Sequence, residues 1–115
     1  MSRQNDFEKR WEHQVEFITR TFGPLSKDGA KRAQAHLMEE LEEVLQALRD
    51  ADPEHALEEL ADVQCLLVGV AANLGFSHQE FLQKWAWKQG VNDQRKWEKC
   101  AAGYSKHVSE VTSVE

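Results

Sequence analysis

HLMEELEEVLQALRDADPEHALEELADVQCLL, residues 36–67, holds two acidic pairs of equal internal spacing, Glu40 with Glu43 and Glu59 with Asp62. An i, i+3 separation puts both carboxylates of a pair on one side of a helix. Between the pairs, Asp52-Pro53 is a helix restart, with Asp as N-cap and Pro at the first helical position. So short a connection makes the two helices an antiparallel hairpin and sets the acidic pairs close together at similar height. Four carboxylates gathered in this way repel one another unless cations lie between them. All-oxygen sites suit hard divalent cations, which commonly bring phosphate groups with them. The first expectation is therefore a metal-dependent phosphate enzyme.

Outward from the hairpin the helical period persists. Phe7, Trp11, Val15, Ile18 and Phe22 form the apolar stripe of a first helix that ends near Gly23-Pro24. Residues 23–29 (GPLSKDG) have a loop composition. The second helix is expected from about Ala30 to Arg49, with Ala33, Leu37, Leu41, Val44 and Leu48 inward. The third carries Leu57, Leu60, Val63, Leu67, Val70 and Leu74 and stops at Gly75. Ser77-His78-Gln79-Glu80 fits a capping box, with Phe76 and Phe81 as its hydrophobic staple. A fourth helix should start at His78, contain Gly90 and run past Trp97. No strand-like alternation appears. The fold class is all-α, a four-helix bundle over residues 1–100 followed by a flexible C-terminal tail over 101–115.

At 115 residues the chain makes one small domain, 41% hydrophobic and 30% charged. A net charge of −6 without a basic run argues against nucleic acid as the partner. Cys65 and Cys100 make no CxxC motif, and Cys65, in VQCLLVGVAANL, reads as a small buried hydrophobe. With no signal-like leader and no membrane-length apolar stretch, a cytoplasmic protein without a membrane partner is expected.

An acidic chain holds an anionic phosphate only through metal ions or a local basic cluster. Lys88, Asn92 and Arg95 supply such a cluster at i, i+4, i+7 spacing. The bland reading is a stripe of surface cations; the functional one is a phosphate clamp of point charge, neutral donor and fork. Glu39, Glu40, Glu42 and Glu43 also have a bland reading, a solvated face. Against it stand the repulsion of like charges on one helix and the second acidic pair on the facing helix. His36, one turn before Glu40, is a candidate ligand or supporting group, while His13, His55, His78 and His107 show no pairing. The acidic pairs lack the Glu-x-x-His motifs of di-iron carboxylate bundles, and a His-poor oxygen site favours Mg²⁺ or Mn²⁺. Trp11, Trp85, Trp87 and Trp97 read mostly as core or subunit-interface residues.

Glu39-Glu40-x-x-Glu43, fifteen intervening residues and Glu59-x-x-Asp62 resemble the signature of the MazG-like all-α nucleotide pyrophosphohydrolases. Thr21-Phe22-Gly23-Pro24, His36-Leu37 and Lys88-x-x-Val91-Asn92-x-x-Arg95-x-Trp97 are similar to the phage and bacterial dATP/dGTP diphosphohydrolase branch, over roughly residues 14–98. The resemblance implies hydrolysis of a deoxynucleoside triphosphate, purine in this branch, to monophosphate and pyrophosphate. It implies that Glu40, Glu43, Glu59 and Asp62 hold Mg²⁺ or Mn²⁺, and that Lys88, Asn92 and Arg95 contact phosphates. Glu39 or Glu43 would serve as catalytic proton acceptor. It further implies a homo-oligomer, a dimer or dimer of dimers, and the host cytoplasm if the source is viral. The alternative is a non-catalytic helical module that binds a basic partner or senses nucleotides.

Overall fold

The computed structural model describes residues 5–95 and, for the backbone, 97–99 and 105–107. Four helices follow in chain order: α1 (Asp6–Phe22), α2 (Lys27–Arg49), α3 (Pro53–Asn73) and α4 (His78–Gln94). Three of them start on caps that the sequence spells out. Asn5 Oδ1 accepts from the Glu8 amide at 2.7 Å, Ser26 Oγ from Gly29 at 3.0 Å, and Asp52 Oδ1 from His55 at 3.1 Å. The Ser26 cap starts α2 three residues before the expected Ala30, so the 23–29 loop is cut short. Its side chain satisfies a first-turn amide that a loop would leave to water.

α2 and α3 end in the same way. Ala51 N–H donates to Leu48 O and Asp52 N–H to Ala47 O, a Schellman closure with Ala51 at φ 53°. At the end of α3, Gly75 N–H donates to Ala72 O and Phe76 N–H to Ala71 O, with Gly75 at φ 95°. Glycine takes this left-handed conformation freely, whereas alanine carries a steric cost there.

The chain divides into two compact units, Met1–His78 and Gln79–Glu115. In the first, α2 and α3 form the expected hairpin and α1 packs on α3. Gly69 permits the three to meet: a Cβ there would lie 3.4 Å from Ile18 Cδ1 and 3.6 Å from Ala33 Cβ. Buried apolar side chains of this unit are small apart from Trp11 and Ile18, with Ala30, Ala47, Ala56, Val68, Ala71 and Ala72 prominent. Glu8 Oε1 lies 3.0 Å from His78 Nε2, so His78 is paired after all.

The second unit holds most of α4 and a short antiparallel ribbon, β1 (Trp97–Lys99) with β2 (Ser105–His107), in the register Trp97↔His107. Two expectations change here. α4 stops at Gln94 instead of passing Trp97, and the ribbon takes up part of the segment expected to be tail. The rest of 101–115 lies outside the described residues. Gly90 sits within α4 as expected.

The hairpin corrects one further reading. Leu41 and Leu48, expected inward on α2, are 49% and 63% exposed, and Leu57 and Leu60 of α3 are 64% and 48% exposed. Buried instead are Glu40 and Glu59. Helical periodicity groups residues on a face without saying which face turns inward. Trp11 is buried as expected, while Trp85 and Trp87 are exposed. No single helix among the described residues is long and apolar enough to cross a membrane.

Candidate metal centre

The hairpin brings Glu40, Glu43 and Glu59 together, one carboxylate oxygen of each lying within 4.8 Å of the others. Glu40 and Glu59 are buried and Glu43 is exposed. Asp62, one turn beyond Glu59, lies outside this three-oxygen cluster and instead lines the adjoining cleft with Glu39. The expected four-carboxylate cradle is therefore three residues plus a neighbour.

Histidine supports both buried carboxylates in the same way. His36 Nε2 lies 3.2 Å from Glu40 Oε1, and His55 Nε2 lies 3.5 Å from Glu59 Oε1. His55 Nδ1 also approaches Glu58 Oε2 at 3.8 Å. The role of His55 was missed from sequence, although its signal is visible: His36-x-x-Glu39-Glu40-Leu41-x-Glu43 recurs as His55-x-x-Glu58-Glu59-Leu60-x-Asp62. A His four residues before a Glu faces it across one helical turn. The eight-residue pattern is thus written once on each arm of the antiparallel hairpin.

Each Oε1 therefore has a partner, whereas the second oxygens, Glu40 Oε2 and Glu59 Oε2, are buried with no hydrogen-bond partner among the described residues. Bare buried carboxylate oxygens are costly. Crowding also raises the affinity of two of these carboxylates for protons. Glu43 is raised above the ordinary carboxylate range, first by its hydrogen bond with Glu59 and then by repulsion from that charge. Glu59 is raised as well, chiefly by its hydrogen bond with Glu40, with desolvation adding to it. The donor set is all hard oxygen and one oxygen from each of three carboxylates gathers within 4.8 Å, so these residues fit a divalent cation.

A cleft of about 930 Å³ runs from this cluster between α1, α2 and α3. Its α2 wall steps through Gly29, Arg32, His36 and Glu40, and α1 contributes Phe17 and Phe22. Such a volume is at the upper end of the roughly 300–1,000 Å³ typical of ligand pockets. Cys65 is exposed along this cleft rather than buried; desolvation of its thiol and the nearby Asp62 charge push its pKa upward, so the thiol form is favoured.

The over-full acidic cluster at one end of a nucleotide-sized cleft has a counterpart among known families. Residues 4–88 match the model of the phosphoribosyl-ATP pyrophosphohydrolase family. The chain belongs to that family. It is thereby a MazG-like all-α nucleotide pyrophosphohydrolase domain, and the family implies pyrophosphohydrolase activity. No curated protein and no solved structure matches the chain. The matched span of this pyrophosphohydrolase domain takes in the whole acidic cluster and ends at Lys88, before Asn92 and Arg95. Those residues lie in the second unit, where Arg95 Nη1 donates to Asn92 Oδ1 at 3.4 Å and Lys88 Nζ lies 5.9 Å from the Trp87 ring centroid.

Proposed function

We propose that the chain hydrolyses a deoxynucleoside triphosphate, a purine one, to the monophosphate and pyrophosphate with the help of Mg²⁺ or Mn²⁺. The observation that carries this reading is the pair of buried, unpartnered oxygens, Glu40 Oε2 and Glu59 Oε2, in a cluster where one carboxylate oxygen each of Glu40, Glu43 and Glu59 lies within 4.8 Å of the others. Glu40, Glu43 and Glu59 would hold the cation, and Asp62 would complete the set from the adjoining wall. When bound, the ion offsets phosphate charge and makes a water a usable nucleophile near neutral pH.

The chain's own residues do the rest. His36 and His55 hold Oε1 of Glu40 and Glu59, which leaves both Oε2 atoms without a hydrogen-bond partner and available to the ion. Water adds to the α-phosphorus and the bond from that phosphorus to the α–β bridging oxygen breaks, so pyrophosphate leaves. The water's proton passes to a carboxylate. Glu39 suits that role better than Glu43, because it lines the cleft without an ion-pair partner among the described residues, whereas Glu43 is engaged with Glu59. Lys88, Asn92 and Arg95 would contact the phosphates. The exposed leucines of α2 and α3 favour a homo-oligomer, a dimer or dimer of dimers.

The test is a panel of all common dNTPs and NTPs, with phosphoribosyl-ATP added, incubated with Mg²⁺ or Mn²⁺. Pyrophosphate and a monophosphate should form from a purine dNTP and vanish in Glu40→Gln. Turnover of phosphoribosyl-ATP alone would replace the dNTP assignment. Nucleotide-induced thermal stabilisation without product would point to a sensor.

A further inference from the structure

Arg32 lies on the same stripe of α2 as His36 and Glu40, eight residues before Glu40. At about 1.5 Å per residue, that places it roughly 12 Å along the helix from the acidic cluster. The separation is comparable with the reach from an α-phosphate to the far edge of a nucleobase. Its guanidinium is set over the Phe22 ring, 4.9 Å from the centroid. Phe22 in turn meets Phe17 edge-on, with centroids 6.2 Å apart at 87°. All three residues line the cleft. Arg32 has no carboxylate partner among the described residues, so the Phe22 ring attracts its charge while no carboxylate engages its N–H donors.

An arginine presents donors only. Among purine edges, the 6-oxo base offers two adjacent acceptors, O6 and N7, to such a fork, whereas adenine sets an amino donor beside N7. The apolar walls around Phe17 and Phe22 suit a planar base better than a second phosphate. The geometry points to Arg32 as a specificity-determining residue that reads the base at the end of the cleft remote from the metal centre and favours guanine over adenine. This rests on the nucleotide reading above and deepens it.

The experiment measures kcat/KM for dGTP, dATP and 7-deaza-dGTP with Mg²⁺, and calorimetric binding of dGMP and dAMP, for the wild type, Arg32→Gln and Arg32→Lys. Arg32 is exposed, so neither substitution removes a core side chain. The wild type should prefer dGTP by roughly ten- to a hundredfold, the discrimination typical of one bidentate contact. Loss of N7 in 7-deaza-dGTP should remove most of that advantage. Arg32→Gln should bring the ratio to unity or invert it, since an amide matches the adenine edge. Arg32→Lys, a point charge without a fork, should also lose discrimination. Equal wild-type use of dGTP and dATP overturns the inference, as does an Arg32→Gln variant weakened equally toward both, which would mark a phosphate contact. If no nucleotide yields pyrophosphate, the hydrolase reading fails by itself. The dGMP-to-dAMP binding ratio then decides the role of Arg32, and absence of binding by either overturns it.

Discussion

The α2–α3 hairpin has two faces of opposite logic. One buries Glu40 and Glu59, charged groups that normally face water; the other exposes Leu41, Leu48, Leu57 and Leu60, which normally avoid it. His36 and His55 hold one oxygen of each buried acid, and the crowding of carboxylates raises the pKa values of Glu43 and Glu59. Among the described residues the leucines have no such compensation. One face fits a cation and, on the proposed reading, the other fits a second copy of the chain. The comparison separates what the single chain can satisfy from what it must obtain elsewhere.

The most severe way to break the comparison is to neutralise the acidic face. Glu40→Gln or Glu59→Gln should lower kcat/KM for pyrophosphate release by about a hundredfold or more. Melting in EDTA should not fall, because the substitution removes a buried charge that the metal-free protein holds at a cost. A variant that loses activity and metal-free stability together would make the carboxylate a structural group. On the other face, Leu48→Ser with Leu57→Ser should weaken self-association by about a hundredfold or more, since each buried leucine is worth about 1.5–3 kcal/mol. Sedimentation read against concentration measures this, and an unchanged assembly moves the interface elsewhere.

His55→Ala sharpens the acidic side. Loss of the group that orients Glu59 should weaken Mn²⁺ binding by about tenfold, measured by calorimetry, with the helical circular-dichroism signal unchanged. The pH dependence is a smaller effect with a definite sign. Glu43 and Glu59 are raised on folding, so between their ordinary and raised pKa values the folded chain binds more protons than the unfolded one. Metal-free stability should then fall as pH rises through that window and level off above it. Stabilisation by Mg²⁺ should grow over the same window, as followed by thermal melts with and without the ion. Least in size, Ala51→Gly should add about 0.5–1 kcal/mol by relieving the left-handed alanine that joins the two arms. A thermal melt would show a rise of a few degrees.

Much of this was legible in the sequence. The Asp52-Pro53 restart and the two i, i+3 pairs placed the hairpin and its three clustered carboxylates, because caps and helical spacing act locally. Other features depended on tertiary context. A leucine stripe and a glutamate stripe share the same period, so Leu41 and Glu40 could not be sorted into outside and inside by periodicity. His55 was passed over because each histidine was weighed singly and not against its counterpart His36. The length of α4 was overestimated because residues beyond Gln94 pair with another segment, a choice that local pattern does not report.

Asn73 sits at the opposite end of the cleft from the carboxylates. Its Oδ1 accepts from the Ser26 amide at 3.1 Å, its Nδ2 donates to Gly69 O at 2.8 Å, and a Cβ on Gly29 would collide with its amide. The start of α2 is thereby bolted to the last turn of α3, with no slack for a larger side chain. The cleft thus has a fixed terminus at one end and a charge-demanding one at the other, which makes it a length gauge. On the proposed nucleotide reading, a molecule would be accepted by how far its base lies from its phosphates, and lengthening the gauge would take no change in the chemistry at either end.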